Sequence, residues 1–357
     1  MKLRRSRWLL LGLICACNKA QTNEPSTTPT VAAVTSAPAP AVASSPSATP
    51  APSAAPASSS ATSANDAAAA KEAQGERDWA KIESERQAEL ARWTPEMHAA
   101  AKKLAETSYA SADAALKTLL ASPHRHPGNA ERDKYRHPRE SLEFFGVKPT
   151  STVLEYGPGA GWYTELLAPL LAKHGKLYVT TEDPNGPHSD GATQGAKRLQ
   201  NLFDTAPELF GKVDKIQIDA KAPKLPLDSK LDFVLAIRVL HGMVNRNTLD
   251  AWLAEFKHAL KPKGVLAVVE HRAPVGADPL ASSKKGYVPE AYAIERIEAA
   301  GFKLAAKSEI NANPKDTKDY PEGVWTLPPT YRLGDKDREK YAAIGESDRF
   351  TLRFVKQ

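Results

Sequence analysis

The chain has 357 residues, 41% hydrophobic and 25% charged, a balance that suits a soluble globular core with some polar excess. Its formal net charge of +6 is concentrated at the start, in Lys2, Arg4, Arg5 and Arg7. No dense basic stripe with interleaved aromatics follows, so composition offers no case for nucleic-acid binding. Both cysteines, Cys15 and Cys17, fall in the opening segment, which excludes disulfides, thiol nucleophiles and thiolate metal sites from the rest of the chain.

Residues 1–17 join a basic start to a short apolar run from Trp8 to Ile14, the shape of a secretory signal. The run is far shorter than the ~20 residues a spanning helix needs. Ile14-Cys15-Ala16-Cys17 resembles a bacterial lipobox with Cys17 as the lipidated residue, and Asn18 behind it resembles an outer-membrane sorting signal. The resemblance implies an exported protein, lipid-anchored in the envelope and facing the periplasm. An ordinary signal peptide is one alternative; a mis-assigned start, which leaves the protein in the cytoplasm, is another. Residues 18–70 are mostly Ala, Pro, Ser and Thr and carry almost no large apolar side chain, which predicts a disordered tether.

A helical extension is expected over 71–130. Trp79, Ile82, Leu90 and Trp93 are spaced on one face, Thr94-Pro95-Glu96 reads as an N-cap with proline at the first helical position, and Leu116, Leu119 and Leu120 offer packing. These helices either decorate the following domain or lengthen the stalk.

From Thr152 the chain alternates strands and helices. Strands are predicted at Thr152–Tyr156, Lys176–Thr181, Lys215–Asp219, Leu231–Val239, Val265–Glu270, Phe302–Ile310 and Phe350–Lys356. Helices are predicted at Trp162–Ala172, Gln194–Asp204, Thr248–Leu260 (closed by Lys261-Pro262-Lys263-Gly264) and Pro289–Ala300. The polar stretch Asn311–Ser347 reads as a long loop. Such alternation predicts a Rossmann-like, doubly wound α/β sheet with its ligand beyond the carboxyl ends of the strands.

The residues with chemistry stand just after strands. Glu155-Tyr156-Gly157-Pro158-Gly159-Ala160-Gly161 links the first strand to a helix, where glycines let backbone approach a ligand closely. Glu182 follows the second strand, 21 residues after Gly161, well placed to accept bonds from a ribose diol. Asp219 ends the third strand, Arg238-Val239-Leu240-His241 the fourth, and Glu270-His271-Arg272 the fifth. The candidates for work on a substrate are His241, His271 and Arg272; either histidine could serve as a base. His124, His126 and His137 lie close in sequence without a strong metal-ligand spacing, and no resident metal is expected.

The G-x-G-x-G spacing behind Glu155 resembles the first motif of class I S-adenosylmethionine-dependent methyltransferases. That resemblance implies seven strands with the last antiparallel, S-adenosylmethionine as cofactor, and a domain over 131–357. It further implies glycines 157, 159 and 161 beside the methionine moiety, Glu155 holding the motif, Glu182 on the ribose and Asp219 at the adenine. The wording Arg132-Asp133-Lys134-Tyr135-Arg136-His137-Pro138, Phe144-Phe145-Gly146, Glu155 to Glu165 and His271-Arg272 resembles a group of uncharacterised bacterial predicted methyltransferases. In that light Tyr135 and His137 are expected to close over the cofactor. The methyl acceptor, a small molecule or something else, is not named by these residues. Two other readings stay open. One is a non-catalytic lipoprotein that kept the fold, suggested by an export signal on a protein whose cofactor is made in the cytoplasm. The other is a nicotinamide oxidoreductase, weakened by Trp162 where the G-x-G-x-x-G fingerprint needs its third glycine.

Overall fold

The computed structural model describes residues 59–357; the signal expected over 1–17, with Cys17, and the tether up to residue 58 lie outside them. Helix α1 spans Ser59–Arg92, so the last part of the expected tether, 59–70, is helical. Ala67–Ala70 has the highest helix propensity of any side chain type and runs straight into the charged segment behind it, where Arg86 and Arg92 pair with Glu83 and Glu89 one turn back. Ile82 and Trp93 are buried, whereas Leu90, expected on the same face, is 38% exposed. Helix α2 (Pro95–Glu106) starts where Thr94 accepts the Met97 N–H, and α3 (Ala112–Leu120) where Ser111 accepts that of Ala114. Trp93, Leu104, Leu116 and Leu119 share one apolar core with Val153, Leu166 and Leu170, so these helices decorate the domain. Short helices α4 (Pro127–Ala130), α5 (Asp133–Arg136) and α6 (Pro138–Phe145) lead into the sheet.

The sheet then builds as β1 (Thr152–Tyr156), α7 (Thr164–Leu171), β2 (Lys176–Thr181), α8 (Gly191–Thr205), α9 (Pro207–Phe210), β3 (Asp214–Gln217), β4 (Leu231–Ile237), α10 (Leu240–Asn245), α11 (Leu249–Ala259) and β5 (Leu260–His271). It closes with α12 (Pro279–Ser283), α13 (Glu290–Ala299), β6 (Phe302–Ser308), α14 (Arg338–Ile344) and β7 (Arg349–Lys356). The seven strands lie in the order β3-β2-β1-β4-β5-β7-β6. Neighbours from β3 to β5 are parallel, and β7 inserts antiparallel between β5 and β6. This is the doubly wound, seven-stranded sheet with an antiparallel last strand. One core lies on each face, Leu166 and Phe210 in one, Trp252 and Phe256 in the other. Strand order reverses between β1 and β4, where such sheets open a crevice.

Two expectations need correction. Lys261–Gly264, read as a helix stop, belongs to the start of β5, which pairs Leu260 with Leu231 before an irregularity restores the register at Val265. Asn311–Ser347 is not without structure. It contains a 3-10 turn at Gly323–Thr326 and α14, and it packs Tyr320, Leu327 and Tyr341 into a small core of their own. A few large apolar side chains among many charges suffice for that, and an averaged polarity conceals them. Among the described residues no helix is long and apolar enough to cross a membrane.

Helix α1 reaches the loop between β2 and α8. Trp79 stacks on His188 at 3.8 Å, Glu76 meets the His188 Nδ1 at 2.9 Å, and Ser189 donates to Glu72 at 2.8 Å. The approach requires Gly75, since a Cβ there would sit 2.6 Å from the Ser189 Cα, a backbone atom that cannot swing away. Gly75→Val is therefore expected to lift the first half of α1 from this loop. Hydrogen exchange over 65–80 should rise at least tenfold, and unchanged protection would show that the contact contributes nothing to holding the helix.

Candidate functional site

The turn after β1 divides its glycines between two tasks. Gly157 (φ 64°) and Gly159 (φ 59°) line a cleft of about 700 Å³ over the carboxyl ends of β1, β2 and β4. A Cβ on Gly159 would meet nothing within 4 Å, whereas one on Gly157 would lie 2.8 Å from Val239 Cγ1. Gly161 (φ 86°) is buried, and its Cβ would come within 2.3 Å of Leu202 Cδ2, so it serves the packing of α7 on α8. Glu155 is buried too and does not line the cleft. It accepts the Thr164 hydroxyl at 2.7 Å, tying the end of β1 to the first turn of α7. The Gly157 N–H is held by Thr180 Oγ1 at 2.8 Å.

Glu182 stands in the cleft wall at the end of β2, half-buried, its carboxyl held above the usual range by burial and drawn back by the nearby Arg246 guanidinium. Asp190 caps α8 through the Ala192 N–H at the same end. Asp219, expected at the adenine, is exposed and accepts its own turn's Lys221 N–H; its neighbours Ile218 and Ala220 form the wall instead.

Tyr135 and His137 do not line the cleft. His137 (φ 41°) joins α5 to α6, and Tyr135 packs against Gly345 while its carbonyl accepts Arg349 Nη2 at 2.6 Å. The segment around them is anchored to the glycine motif by a different route. Trp162 Nε1 donates to the Asn129 carbonyl at 2.8 Å, Arg136 lies over the Trp162 ring at 4.9 Å, and Arg125 reaches both Asp133 and Glu165. The two stretches of distinctive wording are thus packed on each other. His124, close in sequence to His126 and His137, is buried, donates to the Glu165 carbonyl, and is held down to about 4 by burial. The three histidines do not gather as a ligand set.

Burial pushes both Glu155 and Glu165 up to about 7, against the Thr164 hydroxyl for the first and the His126 N–H and Arg125 for the second. A carboxyl raised in the folded state binds its proton more tightly there than in the unfolded chain. It therefore favours folding most at low pH, and that contribution is lost as pH rises from about 4.5 to about 7. Urea unfolding midpoints should fall across this window, and Glu165→Gln should flatten part of the slope. An unchanged slope in that variant would place its titration outside the window.

Of the three candidates after β4 and β5, one reaches the cleft. His241 lines it, with Trp325 beside it at 6.0 Å between ring centroids. Glu270 behind it is fully buried. One carboxylate oxygen accepts the N–H groups of Leu240 (2.6 Å) and His241 (3.3 Å); the other accepts that of His271 (2.9 Å) and faces His241 Nδ1 at 3.1 Å. A carboxylate at Nδ1 places the ring proton there and leaves Nε2 as an acceptor. His271 sits behind, its Nδ1 2.5 Å from Ser347 Oγ, and burial holds it well below the usual range, so it stays neutral. Arg272 is engaged by Glu309 at 2.5 Å and Glu290 at 3.3 Å and does not line the cleft.

His241, Glu270 and His271 offer ligand atoms within 4.8 Å of one another. The carboxylate is already saturated by the four contacts above, and the Arg238 charge bears on His271, which disfavours a dication. The group is better suited to orienting His241.

Arg246 and Trp325 were not named from sequence, and Arg238 and Glu270 were named only as strand ends, without a role. An arginine closing the almost wholly apolar β4 was a usable signal for Arg238. Trp325 had none, because its place depends on how 311–347 folds back.

Residues 154–268 match the family profile described as a methyltransferase domain. The matched stretch runs from β1 to β5 of a seven-stranded sheet whose strand order and antiparallel last strand are those of the class I methyltransferase fold. The chain is similar to a solved S-adenosylmethionine-dependent methyltransferase from Aquifex aeolicus (19% identity, 68% of this chain and 97% of that one, TM-score 0.43). It is similar also to the [4+2]-cyclase SpnF (18% identity, 68% and 92%, TM-score 0.45) and to the glycopeptide N-methyltransferase MtfA complexed with sinefungin (13% identity, 65% and 95%, TM-score 0.39). No protein of curated function matches.

Proposed function

We propose that this domain transfers a methyl group from S-adenosylmethionine to an acceptor that enters beside His241. The observation that carries the reading is the opening at Gly159, empty of protein atoms around a side-chain position, in the same cleft as Glu182. A cleft of about 700 Å³ is of the size that takes a cofactor. When bound, the cofactor supplies an electrophilic methyl group on a sulfonium. The chain's own residues do the rest. Glu182 accepts the ribose hydroxyls, the Gly157–Gly159 backbone runs beside the amino-acid end, and Trp325 with Ile218 walls the space from water. His241, oriented by Glu270, takes a proton from the acceptor's hydroxyl or amine as the new bond forms, while most of the rate comes from alignment.

The oriented His241 favours turnover over a fold kept only for binding. Trp162, buried and bonded to Asn129, occupies the position a nicotinamide fingerprint gives to glycine. Calorimetric titration of the full chain with S-adenosylmethionine, S-adenosylhomocysteine and NADH tests the reading. Binding of the first two, weakened at least tenfold by Glu182→Ala, is expected; binding of NADH alone would overturn it. His241→Ala should keep S-adenosylhomocysteine affinity and lose about 10²–10⁴-fold in turnover in an acceptor screen. Equal turnover would remove His241 from the chemistry.

We also propose, from the sequence around Cys17, that the domain is tethered to the cell envelope by a lipid. Radiolabelled palmitate should enter the full chain and be lost in Cys17→Ser; labelling that persists would exclude this site.

A further inference from the structure

Arg238 follows β4 in the left-handed region (φ 58°) and lines the cleft together with Gly157 and His241. Among the described residues no carboxylate lies within ion-pair distance of its guanidinium, and its side chain makes no hydrogen bond. The acid that acts on it most strongly is Glu346. That carboxylate is already held by Arg132 Nε at 3.0 Å, Arg136 Nε at 2.8 Å and Arg349 Nη1 at 2.8 Å. Three guanidiniums therefore hold that carboxylate, and the charge of Arg238, itself only partly buried, stands near them without reaching it. Glu155, the other acid near Arg238, is taken by Thr164. A partly desolvated cation gains from an anionic partner, and Arg238, which lines the cleft, has none from the chain.

The sheet order says which anion arrives. Glu182 follows β2, the glycine turn follows β1, and Arg238 follows β4, three consecutive strands of the sheet. Adjacent strands are about 4.8 Å apart, so a ligand lying across the strand ends from Glu182 to Arg238 spans about 10 Å, on the scale of an adenosyl amino acid from ribose to carboxylate. We infer that Arg238 binds the α-carboxylate of the S-adenosyl cofactor, drawing its amino-acid end between the glycine turn and the Glu346 arginine cluster. This inference rests on the proposed function. Arg238 is then a cofactor-binding residue, its planar fork matched to a carboxylate, and it fixes the sulfonium's position relative to His241.

The test compares two ligands that share adenosine and sulfur. S-adenosylhomocysteine carries the carboxylate; 5′-methylthioadenosine does not. Full-length wild-type protein should bind the first more tightly. Arg238→Met should weaken S-adenosylhomocysteine by roughly tenfold to a hundredfold, the worth of a charge-assisted hydrogen bond, and leave 5′-methylthioadenosine within about twofold. Retained methylthioadenosine binding also reports that the cleft is folded. Arg238→Lys, which keeps the charge and loses the fork, should show an intermediate loss for S-adenosylhomocysteine alone. A ratio of the two affinities unchanged by both variants overturns the inference while leaving the proposed function standing. Wild-type protein that binds neither ligand overturns the proposed function itself.

Discussion

Gly159→Leu is expected to abolish S-adenosylhomocysteine binding in a folded domain, while Gly161→Val, two residues away, is expected to damage the fold. Both positions have positive φ, so each substitution carries strain of ~1–2 kcal/mol. They differ in where the new side chain goes. At Gly159 nothing stands within 4 Å of the added Cβ, so the leucine projects into the open cleft proposed for the cofactor and meets no core. At Gly161 the Cβ falls 2.3 Å from Leu202 Cδ2 and 3.6 Å from Leu199 Cδ1. Leu202 can turn aside in part, but the branched side chain must still displace the α7–α8 packing, an overpacking cost of ~1–3 kcal/mol on top of the strain. Calorimetry and urea unfolding on the same two proteins separate the outcomes. Undiminished binding by Gly159→Leu would move the cofactor away from this turn, and full stability in Gly161→Val would mean that α8 yields freely.

Glu346→Ala should cost about 3–5 kcal/mol, the usual penalty for removing one partner of a buried ion pair. Glu346 lies just before β7 and is 4% exposed; Arg136 and Arg349 are equally withdrawn from water, and Arg132 is partly so. Without the carboxylate, these guanidiniums face one another and Arg238. Against the ~5–15 kcal/mol that holds a typical domain together, this is a large share. It should appear as a lower urea midpoint with an unchanged slope. Glu346→Gln, which keeps an acceptor and loses the charge, should fall between the variant and wild type. A loss under about 1 kcal/mol in Glu346→Ala would show that the arginines are satisfied by water or by other carboxylates, and would weaken the charge argument made for Arg238.

Much of the fold was legible from local pattern. β1 and β2 have their expected bounds, and α11 and α13 fall within a residue or two of theirs, because alternating apolar runs, glycine turns and caps are properties of neighbours along the chain. That Glu182, Gly157 and Gly159 line the cleft followed from the same local logic, since residues at a strand–turn–helix junction are close in sequence. Three consecutive residues illustrate where that logic stops. Glu270 and His271 end β5 and Arg272 follows it, yet they go respectively to a buried hydrogen-bond hub, a neutral histidine behind the cleft and an ion-paired surface. A strand turns successive side chains to opposite faces, and what each then meets comes from α10, the segment before β7 and α13.

Sequence alone therefore determined the class of sheet, and it pointed to the strand ends and the glycine turn that line the cleft. Tertiary structure alone decided that His241 and not His271 or Arg272 reaches the cleft, that Tyr135, His137 and Asp219 do not line it, and that Arg238 there feels the charge of a carboxylate 108 residues away in the chain. The physical reason is the range of the interactions: backbone propensity and turn geometry act over a few residues, whereas charge pairing and burial depend on which distant segments the sheet register brings together.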